Sequence, residues 1–139
     1  MKNSTIITVF LSLSAIVGLY VGGSLLFSPA ALQAQSDIII ESPSHFSETR
    51  APGAAIFFST FFIILGIFKS NWRSNALFLS ALLFNAYGLG RLLSYFLDGK
   101  PADGLVAAMI GELFFGVIAL FLYIKIKKEK VFDKELIMK

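Results

Sequence analysis

Cysteine is absent from this chain, and histidine occurs once, at position 45. Without cysteine there is no disulfide, no thiol redox centre and no thiolate metal site. A single His45 cannot supply a multi-histidine metal centre, so neither a metal nor a cofactor is expected. Charge is also scarce. Only 15% of the 139 residues are charged, whereas 56% are hydrophobic and fifteen are Phe. Soluble domains carry about 25% charged residues and 45–50% apolar ones. A core of this size could not hide so much apolar surface from water, which excludes an ordinary soluble domain. The signatures of a phosphate-binding loop, a zinc protease helix and a hydrolase nucleophile elbow are missing as well.

What is present is hydrophobic length. Four apolar stretches run over about 5–27, 51–68, 75–97 and 104–124. Each is near the 20 or so residues that a helix needs to cross about 30 Å of hydrocarbon. Lipid offers the backbone no hydrogen-bond partners, so each span must be a helix or part of a closed barrel. The stretches are continuously apolar rather than alternating, which predicts helices. The expected fold is therefore all-α, a transmembrane four-helix bundle in one integral membrane domain, 1–139, with a basic tail at 125–139. The first stretch is read as a retained helix rather than a signal peptide. Its apolar core is longer than a signal sequence needs, and Leu32 occupies a position where a cleavage site wants a small residue.

Basic residues are unevenly placed. Four crossings put the N-terminus, the turn at Lys69 and Arg73, and the C-terminal tail on one side. That side holds nine of the twelve Lys and Arg residues. Lys and Arg collect on the cytoplasmic side of membrane proteins, so both termini are expected in the cytoplasm, with the chain a multi-pass protein of the bacterial inner membrane. The high pI then reflects orientation and gives no reason to expect nucleic acid. Membrane lipids are the expected surroundings, and the run Lys125-Ile-Lys127-Lys128-Glu129-Lys130 reads as a stop-transfer anchor. Small-residue steps at Gly18/Gly22, Ala55/Ser59 and Ala107/Gly111 suit close helix packing within the bundle or in a homo-oligomer.

Two charges fall inside the spans, where a charge costs about 2.5–3.5 kcal/mol at a helix centre on insertion scales. Arg91 lies about six residues from the end of the third span, or about 9 Å deep. Glu112 lies about eight residues into the fourth, or about 12 Å. Their spans are adjacent and antiparallel, so the two side chains reach similar depth and an ion pair would satisfy both. Tyr87, Arg91, Ser94 and Asp98 share one helical stripe. Arg50 opens the second span from the same side, and Glu41, His45 and Glu48 lie in the loop that precedes it. These residues fit two readings. One is an outward-facing polar pocket lined by Arg50, Tyr87, Arg91, Ser94, Asp98, Glu112 and Glu41, taking a small anionic or zwitterionic molecule or a lipid headgroup. The other is a buried ion pair that fixes helix register, with Asp98 capping a turn, in an accessory subunit that packs on a membrane-protein partner. A membrane-embedded enzyme ranks last, because no nucleophile, metal site or cofactor motif stands beside the pair.

The segments Arg50-Ala-Pro-Gly53, Gly90-Arg91-Leu-Leu-Ser94-Tyr-Phe-Leu-Asp98-Gly99-Lys-Pro101 and Glu112-Leu113 resemble an uncharacterised bacterial family of small four-helix membrane proteins. The family is held as a domain of unknown function and is loosely akin to DoxX-like proteins in architecture. The resemblance runs from the first span to the fourth, and its specific part is Arg-x-x-Ser-x-x-x-Asp-Gly-x-Pro. It implies a four-helix membrane bundle with no established activity, so no catalytic residue is carried over.

Overall fold

A computed structural model describes the backbone from Lys2 to Ile137 and the side chains from Ser4 to Glu129. The basic residues Lys2, Lys130, Lys134 and Lys139 thus have side chains outside the described residues. Five α-helices follow in order, α1 (Lys2–Phe27), α2 (Pro29–Ala34), α3 (Pro43–Phe68), α4 (Arg73–Leu97) and α5 (Asp103–Ile137), with a single 3-10 turn at Ser70–Trp72 between α3 and α4. Among the described residues, four helical segments are long and apolar enough to cross a membrane: Ser4–Phe27, Pro43–Phe68, Ser70–Leu97 and Asp103–Glu129. Their outward faces are apolar where a soluble bundle would be charged. Ile16 is 64% exposed, Phe62 51% and Phe121 66%. That belt suits lipid and not water. The chain is an all-α, four-helix membrane bundle.

Two helices are longer than the hydropathy predicts. The second span begins at Pro43 instead of near Ala51. The reason is local: Ser42 is extended and its Oγ accepts from the His45 N–H at 3.2 Å, with Pro43 at the first helical position. A serine cap followed by proline starts a helix wherever the next residues tolerate it, polar or not. Pro52 consequently lies inside α3 rather than at its start. The fourth span continues as helix to Ile137 instead of stopping near Ile124. The connection from 28 to 49, expected as one long loop, is mostly helical: it contains α2 and the first turns of α3, leaving a short linker. Asp37 turns that linker in the left-handed conformation (φ 59°), which Asp tolerates better than most residues.

The helices pack as two antiparallel pairs. α1 lies chiefly on α3 and α4 chiefly on α5, while α3 joins α4 and α1 scarcely touches α5. Glycines set the pair contacts. A Cβ on Gly22 would stand 2.6 Å from the Phe57 nitrogen, and one on Gly53 would stand 2.6 Å from the Leu25 Cβ. In the other pair, Gly88 of α4 lies against Leu113 and Gly116 of α5 against Asn85. Such approach replaces the hydrophobic drive that lipid removes. Ala107 and Gly111 take no part in this: Ala107 is exposed and a Cβ on Gly111 meets open space.

The core is lopsided. The buried cluster, which includes Leu11, Ile63, Leu77, Ala119 and Leu122, sits toward the end where the α3–α4 turn lies. Arg73 fastens the same end, donating from Nη1 to Ser4 Oγ and from Nη2 to Thr8 Oγ1 at 3.2 Å. Buried hydroxyls are satisfied by their own helices: Ser14 donates to the Phe10 carbonyl, Thr60 to Ile56 and Ser80 to Ala76. The other half of the bundle is where the cavities are.

Candidate functional site

At the half opposite the α3–α4 turn, the two helix pairs stand apart and enclose two adjoining spaces. The outer one is a vestibule of about 670 Å³, walled by α1, α3, α4 and α5 and covered by α2 and its linker. Tyr20, Gln33, Gln35, Ser36, His45, Glu48 and Thr49 contribute its polar lining. The inner one is an apolar pocket of about 70 Å³ lined by Val17, Val21, Ile56, Ile63, Leu83 and Phe84, with the hydroxyls of Ser14 and Thr60 at its wall. Tyr87, Arg91 and Glu112 line both spaces, as do Val21 and Leu25. These three polar residues therefore form the neck between a wet chamber and a greasy one.

Arg91 and Glu112 meet there as an ion pair. Arg91 Nε donates to Glu112 Oε2 at 3.0 Å and to Oε1 at 3.2 Å, with side chains 30% and 18% exposed. The geometry is unusual for this pair of groups, since arginine commonly grips a carboxylate through two parallel N–H donors. Here a single nitrogen spans both oxygens. Among the described residues, neither terminal guanidinium nitrogen of Arg91 has a hydrogen-bond partner. Two charge-assisted donors therefore remain beside an open cavity.

The other expected site residues divide. Tyr87 lies at the neck with Arg91. Ser94 does not line the vestibule; it lies in an open groove on α4 with Ala86, Tyr87, Gly90 and Arg91, and donates to Asp98 Oδ2 at 2.8 Å. Asp98 is exposed beyond the helix end and takes no part in the vestibule. Glu41 is exposed on the linker and does not line the vestibule either. Arg50 turns away from the vestibule. Its Nε donates to the Leu26 carbonyl at 3.2 Å, and its guanidinium lies 5.2 Å from the Phe46 ring centroid. The early start of α3 explains this. Helical phase from Pro43 puts Glu48, Thr49 and Pro52 on the inner face and Phe46, Arg50 and Ala54 on the outer one, as the lining of the two spaces shows.

The second arginine is thus replaced at the site by a carboxylate. The vestibule faces its contents with one Arg, two Glu and one His (Arg91, Glu48, Glu112 and His45). Such a lining does not favour a simple anion. It does suit a molecule that carries both signs. Among the described residues, no three His, Asp or Glu side chains gather as they would to hold a metal ion.

Fold and cavity define a multi-pass helical membrane protein with a polar chamber opening into one half of the bundle. Residues 6–123 match the family described as a domain of unknown function (DUF4345), and the chain belongs to that family. Neither the curated proteins nor the solved structures contain a significant match to it.

Proposed function

We infer that the protein is a binding protein for a small zwitterionic molecule or a lipid headgroup. The observation that carries this reading is the half-used guanidinium of Arg91 at the neck of the vestibule. Its two free nitrogens suit the oxygens of a phosphate or carboxylate, and Glu48 and Glu112, which line the same chamber, suit an ammonium group. The volume, about 670 Å³, is in the range of small-molecule sites. The placement of Lys and Arg supports a chain in a bacterial inner membrane with both termini in the cytoplasm and the vestibule facing outward.

The test is native mass spectrometry of the detergent-purified protein, with and without added phosphocholine, beside the Arg91→Ala and Glu48→Gln variants. A stoichiometric adduct on the wild type that weakens in both folded variants is the expected result. A wild type that takes up no adduct at millimolar phosphocholine, and carries none from the cell, overturns the reading.

A second reading has its own support. Ala86, Gly90 and Ser94 form an open groove along α4 that Tyr87 and Arg91 also border, and a Cβ on Gly90 meets nothing within 4 Å. A close helix partner, from a second copy or another membrane protein, would fit there. Cross-linking through Gly90→Cys distinguishes the two: a specific dimer or a captured partner in membranes supports an accessory role, and none removes it.

A further inference from the structure

We propose that the ligand is a zwitterionic amphiphile with a single chain, whose head sits in the vestibule and whose first few carbons enter the apolar pocket beneath Arg91. This rests on the headgroup reading above and goes beyond it by naming the other end of the molecule.

Three observations carry it. First, Tyr87, Arg91 and Glu112 line both spaces, together with Val21 and Leu25, so the two adjoin at these side chains and a molecule that passes the ion pair would occupy both. A site for a wholly polar ligand has no use for an apolar annex below its charged group. Second, the annex is dry in character. Its wall is Val17, Val21, Ile56, Ile63, Leu83 and Phe84, and the two hydroxyls nearby, Ser14 and Thr60, already donate to the Phe10 and Ile56 carbonyls of their own helices. Away from Tyr87, Arg91 and Glu112 at its mouth, little there rewards water, which needs two to four polar partners to stay in a cavity. Third, the order of the lining is that of an amphiphile in a bilayer, with charge at the outer level and hydrocarbon below it.

The dimensions limit the chain. About 70 Å³ is less than half of the roughly 150 Å³ that accepts a benzene molecule in an engineered cavity. Only a few carbons fit between the helices. A longer chain has a way out, because α1 scarcely touches α5. Tyr20 and Val21 line the vestibule from one side of that gap, and Leu105 and Ala108 line it from the other. The Phe10–Phe115 ring contact, 5.8 Å between centroids, closes the same gap lower down. A chain leaving between α1 and α5 passes directly into the hydrocarbon of the bilayer.

The experiment compares two probes that share a head and differ in the tail: phosphocholine and hexylphosphocholine. Binding is measured by calorimetry on the full chain in nanodiscs of phosphatidylglycerol, with empty nanodiscs subtracted. The phosphatidylglycerol bilayer carries no zwitterionic head to compete. Two variants fill the annex from different helices, Leu83→Phe and Val17→Phe. The expected result is that hexylphosphocholine binds the wild type at least about tenfold tighter than phosphocholine, as burial of two or more methylenes provides. Both filled variants should erase that difference and leave phosphocholine binding unchanged. Equal binding of the two probes to the wild type overturns the amphiphile while leaving the headgroup site standing. A tail advantage that survives both filled variants places the chain elsewhere and overturns the pocket assignment. No saturable binding of either probe overturns this inference and the headgroup reading together.

Discussion

Removing Arg91 alone should damage the protein more than removing Arg91 and Glu112 together. Arg91→Ala leaves the Glu112 carboxylate without the donor that meets both of its oxygens. Stranding one partner of a fully buried pair costs about 3–5 kcal/mol. This pair is not fully buried, since its side chains are 30% and 18% exposed and face the vestibule. Water there recovers part of the loss, so about 2–3 kcal/mol is expected for Arg91→Ala. Glu112→Ala should cost less, about 1–2 kcal/mol, because the longer arginine can turn its head toward the vestibule water. The double replacement Arg91→Leu with Glu112→Leu removes both charges and refills the space with hydrocarbon. Such a swap is commonly neutral or stabilising, so a cost below about 1 kcal/mol is expected. With Arg91→Leu and Glu112→Leu singly costing at least as much as the alanine changes, since each strands the same partner, the coupling energy of the leucine cycle comes to about 2 kcal/mol or more. Unfolding from mixed micelles by titration with sodium dodecyl sulfate measures it. Trp72, the one tryptophan, lies against Phe62 at the far end of the bundle and reports unfolding without touching the pair. If the effects of Arg91→Leu and Glu112→Leu add to within about 0.5 kcal/mol, the pair does not interact as the geometry says.

Other outcomes follow from the packing. Gly22→Ala and Gly53→Ala should each destabilise the α1–α3 pair by about 1–3 kcal/mol, because the new Cβ meets backbone that cannot turn aside, whereas Gly90→Ala, with open space around it, should change stability by less than about 0.5 kcal/mol in the same titration. Ser42→Ala removes the cap of α3 and should cost about 1 kcal/mol, read as earlier exchange of the His45 and Phe46 amides. Arg73→Lys should loosen the start of α1 nearly as much as Arg73→Ala, since one ammonium cannot reach both Ser4 and Thr8 as the guanidinium does; proteolysis at the N-terminus measures it. With no native cysteine, single cysteines report access directly. Glu48→Cys and Tyr87→Cys should react with a water-soluble maleimide from outside the cell, Leu77→Cys should not, and Asn71→Cys should react only after permeabilisation.

The spans were legible because hydropathy alone decides which segments lipid accepts. The meeting of Arg91 and Glu112 was legible too, because depth along two adjacent antiparallel helices follows from counting residues. The rest of the site depended on facts that counting does not supply. Where α3 begins is set by the Ser42–Pro43 cap and not by hydropathy. Because the helix extends back to Pro43, Glu48 and Arg50 take its phase, which points Glu48 into the vestibule and Arg50 out of it. A span assumed to start near Ala51 leaves Arg50 at a frayed end, free to be assigned to either side. The lining contributed by Gln33, Gln35 and Ser36 had no signal, since it exists only because α2 folds back over the bundle mouth. The glycine steps were half informative. Gly18 and Gly22 make a contact that the spacing suggests, but Gly53, Gly66, Gly88 and Gly116 carry the remaining close approaches without a regular four-residue step to mark them. Which small residue meets a neighbour depends on the rotation of each helix, and rotation is set by all the contacts together.

The distribution of core and cavity bears on why a charged pair stands where it does. In the half near the α3–α4 turn, four helices meet over Leu11, Leu77 and Ala119, each buried to within 1% or less of full enclosure, and a charge there would find no water. In the other half the pairs separate, α1 leaves α5, and the vestibule reaches down to the neck. Arg91 and Glu112 sit at that boundary. A bundle that needed only stability could put two leucines there and lose little. A bundle that needed only register already has it from Gly22 against Phe57, Gly53 against Leu25 and Gly88 against Leu113. What leucine cannot do is present two unused guanidinium donors to a chamber while a carboxylate holds the third nitrogen in place. On the proposed binding reading, one nitrogen serves the fold and two are left for what enters, a division that neither stability nor register would call for.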